Sequence, residues 1–151
     1  MFSIIIPSLN NLDYLKICIN SLKRNSKYDH QILVHVNVGS DGTKEFLKTK
    51  KIPYTYTNHN VGLCKAVNLI SKKATFDHIM YSHDDFYFCP NWDEPIFKEI
   101  QSIKHKNYYL SSTQINTFKI EFFECGKNFS NFDEKKLLSN LNKQKFSDRQ
   151  G

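Results

Sequence analysis

Length, composition and charge exclude several classes of protein. The chain has 151 residues, 40% hydrophobic and 14% aromatic, so it can bury a core and is not intrinsically disordered. Its net charge of +6 comes from scattered lysines and not from the basic run typical of nucleic-acid binding. The sequence shows no apolar segment of membrane-spanning length and no signal-peptide pattern, which favours a cytoplasmic protein.

The four cysteines do not form a metal-binding pattern. Cys18, Cys64, Cys89 and Cys125 lie far apart, without a CxxC pair or a histidine at ligand spacing, so a zinc site is not supported. Three of them lie in apolar sequence, and we therefore expect buried free thiols in a reducing compartment.

The first third of the chain predicts a strand, a helix and a second strand. Residues 2–6 form a β-branched run followed by Pro7, a pattern typical of a strand buried on both faces of a parallel sheet. The loop 7–11 is expected to cap a helix whose apolar residues recur at helical spacing. A second apolar strand, 32–38, ends in a Gly-Ser-Asp-Gly turn that can cap the next helix.

The same alternation continues to residue 105. The further predicted elements are helices at 43–50, 63–74 and 93–103 and strands at 52–57 and 77–82. Pro53 cannot donate a ladder hydrogen bond, which places the third strand near the sheet edge, and Asp93 is expected to cap the fourth helix. Four alternating strands and helices predict an α/β fold, mainly a parallel sheet in the order 3-2-1-4 with helices on both faces.

The pattern changes after residue 105. Residues 108–112 and 118–124 predict two consecutive strands, which would add an antiparallel pair to the fold. A last helix is expected at 133–141, followed by a polar tail at 142–151.

Two adjacent carboxylates, Asp84 and Asp85, follow His83 at the end of the fourth predicted strand. Neighbouring carboxylates repel each other, so they are stable beside solvent, a cationic group or a hard metal ion. Taken alone, the pair could also be an acidic turn that caps the following element. Its position in the predicted sheet favours a binding site.

In the order 3-2-1-4 the strand order reverses between the first and fourth strands. Ligands of open α/β sheets bind at this switch point, beyond the carboxyl ends of the strands. We therefore expect the loops 7–11 and 83–85 to meet there, flanked by 37–40. The carboxylates could hold Mg²⁺ or Mn²⁺ and leave coordination positions for a diphosphate, whose negative charge the metal would neutralise as a Lewis acid.

Other functions of such a sheet are not supported by motifs. The sequence has no GxGxxG, no GxxxxGK[ST] and no GxSxG, which argues against a dinucleotide dehydrogenase, a P-loop protein and the usual hydrolase elbow. A phosphoaspartate receiver would need acids after the first strand, where this chain has Pro7-Ser8-Leu9.

Four segments in chain order carry a resemblance to a known family: SIIIPSLNN, ILVHVNVGSDGT, NHNVGLCKAVNL and YSHDDFYFCPNWDE. Together, over residues 2–105, they resemble the nucleotide-sugar-binding part of family 2 glycosyltransferases, which have the Rossmann-like GT-A fold. The resemblance implies a metal-dependent, inverting hexosyltransferase-like activity with Mn²⁺ or Mg²⁺ as cofactor. The implied substrates are a UDP- or GDP-linked sugar and the hydroxyl of a glycan or lipid-linked acceptor.

The resemblance also implies site residues. Asp85 matches the metal-binding acid of the family's DxD motif, while His83 replaces the first acid and could also ligate the metal. Asp84 takes the middle position, where it could contact the ribose or the sugar. The other residues implied to bind the nucleotide sugar are Pro7, Ser8, Asn10, Asn37, Gly39, Ser40, Gly62 and Lys65.

Two positions depart from the family's pattern, and a third has an alternative interpretation. Asn37 stands where the family has an aspartate that reads the base, so it keeps an acceptor oxygen and loses the charge. Leu9 stands where the family often has a tyrosine that packs on the base. For Lys65 the alternative interpretation is an ordinary solvated helix lysine.

The family's catalytic domain is longer than this chain. We therefore expect a single domain, 1–151, incomplete at its C-terminus, with 1–105 binding the nucleotide sugar and 106–151 forming part of the acceptor side. No catalytic base is assigned, because helix capping explains the late acidic pair at 133–134. The alternatives are a catalytically inactive nucleotide-sugar-binding or scaffold domain and a metal-dependent nucleotidyltransferase. The expected location is cytoplasmic, with peripheral attachment to the inner membrane face as a further option.

Overall fold

A computed structural model describes residues 1–105, 107–111, 124–126 and 129–141. The chain divides into two compact units, residues 1–106 and 107–151. In the first unit strands and helices alternate: β1 (Phe2–Leu9), α1 (Leu12–Asn25), β2 (Gln31–Asn37), α2 (Thr43–Thr49), β3 (Tyr54–Thr57), α3 (Leu63–Ser71), β4 (His78–Tyr81) and α4 (Asp93–Ser102). In the second unit the described residues include a 3-10 helix, Phe129–Asn131, and α5, Glu134–Leu141.

The four strands form one parallel sheet in the order β3-β2-β1-β4. The predicted order is confirmed. Strand β1 lies in the interior of the sheet and pairs with β2 from Ser3 to Leu9 but with β4 only from Phe2 to Ile5. The carboxyl ends of β1 and β2 therefore extend beyond the last paired residue of β4.

Both faces of the sheet are covered by helices, as predicted. On one face Ile4 and Ile6 of β1 pack in a core with residues of α1 and α2, against which aromatic side chains of the 86–97 region also pack. On the opposite face Ile5 packs with Leu33 of β2 and Ile70 of α3. Because successive strand residues point to opposite faces, a strand without polar alternation fits only between two helix layers.

The start of α1 differs from the prediction. Asn11 occupies the N-cap position, but its side chain makes no capping hydrogen bond. The amide N–H of Leu12 instead donates to Oδ2 of Asp41, at 2.8 Å, and Oδ1 of Asp41 accepts from the amide of Thr43. The expectation that the loop 7–11 caps α1 is wrong, because the acceptor comes from the turn after β2.

Asp93 also has a role other than the predicted cap. It is the first residue of α4, is fully buried, and makes no capping hydrogen bond to its own helix. Its carboxylate accepts from the backbone amides of Lys27 and Tyr28, at 2.9 and 3.0 Å, and lies 2.9 Å from Nε2 of His30. The cap prediction for Asp93 is wrong, because the carboxylate satisfies donors of the α1–β2 connection.

The predicted elements after residue 105 are only partly described. Residues 108–111 form no strand, and residues 112 and 118–123 of the predicted antiparallel pair lie outside the described residues. The predicted last helix is confirmed as α5, in which Oδ1 of Asp133 accepts from the amide of Lys136 at 2.9 Å.

Two predictions from composition can be compared with the structure. All four cysteines are free, as expected, but only Cys18 and Cys125 are buried, whereas Cys89 is half-buried and Cys64 is exposed. Among the helices that the structure describes, none is long and apolar enough to cross a membrane.

Candidate functional site

The acidic turn after β4 lies against the segment that follows β1. Nδ2 of Asn11 donates to Oδ1 of Asp84 at 3.1 Å, joining residues that are 73 positions apart. Just before the turn, the amide of Ser82 donates to the carbonyl of Ile5 at 3.0 Å and continues the pairing of β1 with β4. The parallel sheet therefore brings together two of the three loops predicted to meet at the switch point.

Helix α1 also supports the acidic turn. The Cys18 thiol donates to the carbonyl of His83 at 3.5 Å, and the Ser82 hydroxyl donates to the same carbonyl at 2.9 Å. Burial raises the pKa of the Cys18 thiol to about 12, and the carboxylates of Asp84 and Asp85 add to this effect. The thiol is therefore protonated at neutral pH and acts as a donor and not as a nucleophile.

The predicted metal ligands lie at the surface of this turn. His83 and Asp85 are exposed, and Asp84 is half-buried. Nε2 of His83 lies 3.2 Å from the hydroxyl of Tyr81, and the imidazole packs between the rings of Tyr81 and Phe86, with centroids 5.1 and 4.9 Å away. These contacts orient the His83 ring and leave the carboxylate of Asp85 open to solvent.

These residues fit a hard cation only in part. No cluster of three metal-ligating side chains occurs within the described part of the chain. Exposed carboxylate oxygens are suitable ligands for Mn²⁺ or Mg²⁺, and Mg²⁺ in particular is often held by one or two carboxylates together with water and phosphate oxygens. The site therefore fits a cation that is shared with an anionic ligand better than a cation held by protein alone.

The loops after β1 and β2 are joined by a second hydrogen bond. The amide of Ser40 donates to Oδ1 of Asn10 at 3.0 Å, and Asn10 has a left-handed backbone with φ +47°. The turn after β2 is tight, because the amide of Gly39 donates to the carbonyl of Asn37 at 2.8 Å and places Val38 at φ +65°. A β-branched residue in this region is strained, and such strain often occurs at functional sites.

Gly39 is required by both conformation and space. Its φ is +62°, and a Cβ at this position would lie 2.5 Å from Cγ1 of Val36. Gly62, at the N-cap of α3, has φ +79° and ψ 165°, a conformation essentially restricted to glycine, with open space beside it. Gly39 thus forms the turn after β2, and Gly62 forms the bend that precedes α3.

Asn37 is the last residue of β2 and is only 4% exposed. Its Oδ1 accepts from the amide of Val61 at 3.0 Å and from the hydroxyl of Thr57 at 3.3 Å. These bonds fix the loop 58–62 at the carboxyl end of β2. Asn37 also lies beside Leu9 in the β1–β2 register, and Leu9 is 45% exposed at the same edge.

A buried histidine, His35, lies against the threonines of β3, one of which bonds to Asn37. His35 is fully buried, with Nδ1 2.7 Å from the hydroxyl of Thr55 and Nε2 3.2 Å from that of Thr57. Burial lowers the pKa of His35, and a hydrogen bond with the Asn37 side chain opposes this effect. The sequence signal for this role is a histidine inside an otherwise apolar strand.

The remaining predicted residues differ in their surroundings. Ser8 is 3% exposed, and its hydroxyl is the one buried side-chain polar atom without a hydrogen-bond partner in the described part of the chain. Pro7 is half-buried. Lys65 is exposed in the first turn of α3, and within the described residues no ion pair or hydrogen bond of its side chain ties it to the acidic turn. Hydrogen bonds therefore join Asn10 to Ser40 and Asp84 to Asn11, whereas the Asn37 side chain bonds to Thr57 and Val61.

Comparisons with known proteins agree with this fold. The chain matches the family model for "Glycosyl transferase family 2" over residues 3–150. A comparison with curated protein sequences finds no significant match.

Solved structures of S. aureus TarS are similar to this chain. TarS residues 1–349 in complex with UDP gives a TM-score of 0.60 at 19% identity, covering 66% of this chain and 32% of that one. A second structure of TarS 1–349 gives a TM-score of 0.56 at 20% identity, covering 66% of this chain and 31% of that one. A structure of TarS gives a TM-score of 0.56 at 19% identity, covering 66% of this chain and 19% of that one. The chain thus spans a third or less of these structures, and the likeness shows the fold. The chain belongs to glycosyltransferase family 2 and has its GT-A fold.

Proposed function

We propose that this chain binds a nucleoside-diphosphate sugar together with a divalent cation at the carboxyl ends of β1, β2 and β4. The observation that carries the proposal is the hydrogen bond between Asn11 and Asp84, because it holds the acidic turn at the sheet's switch point. The bound UDP in the similar TarS structure supports a nucleotide as the ligand of this fold.

The cation site is assigned to the acidic turn. Asp85 supplies an exposed carboxylate, His83 is adjacent to it, and Asp84 keeps one oxygen beyond the one that accepts from Asn11. Mn²⁺ or Mg²⁺, when bound there, would supply Lewis-acid stabilisation of the charge that develops on the leaving diphosphate. The oriented His83 ring and the Asn11 hydrogen bond restrict how far the turn can move, which preorganises these ligands.

The nucleoside is assigned to the loops after β1 and β2. The turn of Gly39 and Ser40 is fixed to the β1 loop through Asn10, and its glycine lets the backbone approach a ligand closely. The buried Ser8 hydroxyl has no partner among the described residues, and the proposed ligand would have to reach it to supply one. Pro7, Gly62 and Lys65 complete the proposed binding set at the rim of the same edge.

The proposed reaction is a single displacement. An acceptor hydroxyl attacks the anomeric carbon, its proton passes to a base, and the nucleoside diphosphate departs with inversion. The hydroxyl of a glycan or a lipid-linked molecule is the proposed acceptor, and a cytoplasmic setting is proposed with it. We assign no residue of this chain as the base, and residues 106–151 are proposed to form part of the acceptor side.

Binding and transfer are tested separately. Thermal unfolding is measured with Mn²⁺ and each of UDP, GDP, CDP and ADP, and at least one nucleotide should raise the melting temperature. No shift with any of them would refute the proposal. Transfer is tested with a panel of nucleotide sugars, following release of the nucleoside diphosphate.

The activity measurement distinguishes the two alternatives. Binding without release would support a catalytically inactive binding domain in place of an enzyme. Release of pyrophosphate from a nucleoside triphosphate would instead support a nucleotidyltransferase.

A further inference from the structure

The hydrogen bonds of Asn37 determine which of its polar atoms can face a ligand. The amide N–H of Val61 and the hydroxyl of Thr57 both donate to the Asn37 side chain. A backbone N–H can only donate, so the atom facing Val61 must be the carbonyl oxygen Oδ1 and not the amide nitrogen. This contact removes the ambiguity that usually accompanies the orientation of an asparagine side chain.

The buried network behind Asn37 holds this orientation. The Thr57 hydroxyl donates its one proton to the carbonyl of His59 at 2.9 Å, and Oδ1 of Asn37 is a longer, second acceptor at 3.3 Å. Nε2 of His35 must then be the protonated nitrogen that donates to the Thr57 oxygen, and Nδ1 accepts from Thr55. A rotation of the Asn37 amide would place its nitrogen against the Val61 N–H and leave that N–H without an acceptor.

The other polar atom of Asn37 faces outward. Nδ2 donates to no acceptor in the part of the chain that the structure describes. It is not a fully buried atom without a partner, so part of the small exposed surface of Asn37, 4% of the residue, belongs to Nδ2. Asn37 therefore offers a ligand two N–H donors and no free acceptor.

The position of Asn37 fits the base of a bound nucleotide. Strands β4 and β2 flank β1, and neighbouring strands are about 4.8 Å apart, so Asn37 lies roughly 10 Å from the line of β4. If the diphosphate lies at the acidic turn after β4, a ribose would bring the base over β1 and β2. The exposed Leu9 side chain, in register with Asn37, adds an apolar surface there.

We propose that Asn37 donates to the centre of the Watson–Crick edge of the base and thereby selects cytosine or adenine over uracil or guanine. This inference rests on the proposed function and specifies its donor. Cytosine N3 and adenine N1 are acceptors, whereas uracil N3 and guanine N1 carry a hydrogen that would face the Asn37 donors. The resemblance to the family favours uracil or guanine, and the hydrogen bonds of Asn37 favour the opposite choice.

The test compares bases of equal size. Dissociation constants are measured by titration calorimetry, in the presence of Mn²⁺, for CDP against UDP and for ADP against GDP. CDP should bind about tenfold or more tightly than UDP, and ADP should bind more tightly than GDP by a similar factor. The reason is that CDP and ADP accept a hydrogen bond from Asn37, whereas UDP and GDP leave that donor unpaired. Equal or tighter binding of UDP and GDP overturns the inference and leaves the proposed function intact.

The substitution Asn37→Asp replaces the donor nitrogen Nδ2 by an acceptor oxygen and keeps the oxygen that faces Val61. An aspartate oxygen can still accept from Val61 and Thr57, while its second oxygen replaces the donor by an acceptor. Both preferences should therefore invert, whereas Asn68→Asp, on an exposed position of α3, should leave them unchanged. An unaltered ranking in Asn37→Asp contradicts the inference, and if this variant does not fold, the wild-type ranking decides it. No binding of any of the four nucleotides overturns both the proposed function and this inference.

Discussion

Asn11 donates a hydrogen bond to Asp84 across the boundary between β1 and β4, with 3.1 Å between Nδ2 and Oδ1. Each residue belongs to a different strand end, and only the parallel sheet with β1 beside β4 brings them together. Asn11 occupies the N-cap position of α1, but its side chain bonds to Asp84 and makes no capping hydrogen bond. It directs one oxygen of Asp84 toward the protein and leaves the neighbouring Asp85 open.

Removing this bond should weaken ligand binding more than folding. In Asn11→Ala we expect nucleoside diphosphate affinity to fall about tenfold, because the acidic turn is no longer preorganised. The free energy of unfolding should fall by only about 1 kcal/mol, since the bond is partly solvent-accessible. Calorimetric titration and urea denaturation measure the two effects. Asn20→Ala, exposed on the same helix, is the control, and equal losses of affinity in both variants would argue against a role for Asn11.

The buried Asp93 should be among the most sensitive positions for stability. Burial raises its pKa, but hydrogen bonds from Lys27, Tyr28 and His30 outweigh this effect and lower the pKa overall. Asp93→Ala leaves those buried donors unpaired and is expected to cost about 3–5 kcal/mol of unfolding free energy. Glu94→Ala removes only two surface ion pairs, with Lys27 and Lys98, and should change the urea midpoint little. A small effect of Asp93→Ala would show that the α1–β2 connection does not depend on it.

His30 should make stability depend on pH. Its Nδ1 accepts from the amide of Phe2 at 3.1 Å while Nε2 faces Asp93, so the folded protein holds the neutral ring. Burial lowers the pKa of His30, although the carboxylates of Asp93 and Asp29 oppose this effect. The pKa of His35 is lowered by burial as well.

The unfolded chain therefore binds more protons than the folded chain once the pH falls below about 6.5, the ordinary histidine pKa. The contribution of the neutral histidines to the free energy of unfolding should be fully present above that pH. It should decrease as the pH drops toward the lowered histidine pKa values of the folded protein. Urea midpoints between about pH 7.5 and 5.5 measure this, and His30→Gln should reduce the dependence. A midpoint that rises on acidification would contradict the assignment.

Two glycines separate the effect of backbone strain from that of a steric clash. Gly39 and Gly42 both have positive φ, but a Cβ at Gly42 meets its nearest atom, in Leu12, only at 3.6 Å. Gly42→Ala should cost about 1 kcal/mol of unfolding free energy, from left-handed strain alone. Gly39→Ala carries the same strain plus the contact with Val36 and should cost more, with a loss of nucleotide affinity. Equal costs in thermal unfolding would show that the Val36 contact is relieved easily.

The sheet could be predicted because its signals are local. The uninterrupted β-branched run of β1 indicated burial on both faces, and the alternation of strands with amphipathic helices predicted the parallel order that the structure shows. The acidic pair at the end of β4 could be placed from that order alone. These features depend on residues close together in sequence or on a general rule of topology.

The hydrogen-bond partners could not be predicted because they are set by tertiary structure. The turn that contains Asp41 is predicted to cap α2, but Asp41 also accepts from the first amide of α1. Asp93 is predicted to cap a helix, but it accepts from amides of a distant loop. An aspartate before a helix has the same sequence pattern in either case. His35 shows the same limit, since its role depends on threonines of a neighbouring strand.

The claim that Asp85 holds a cation shared with a diphosphate is tested most directly by nucleotide binding with and without metal. Dissociation constants for the tightest nucleoside diphosphate are measured with Mn²⁺ and with EDTA, for the wild type, Asp85→Asn and Asp77→Asn, the latter at the opposite end of β4. We predict that binding requires Mn²⁺, is lost in Asp85→Asn and is retained in Asp77→Asn. Binding that is equally tight in EDTA, or unchanged in Asp85→Asn, would contradict the account.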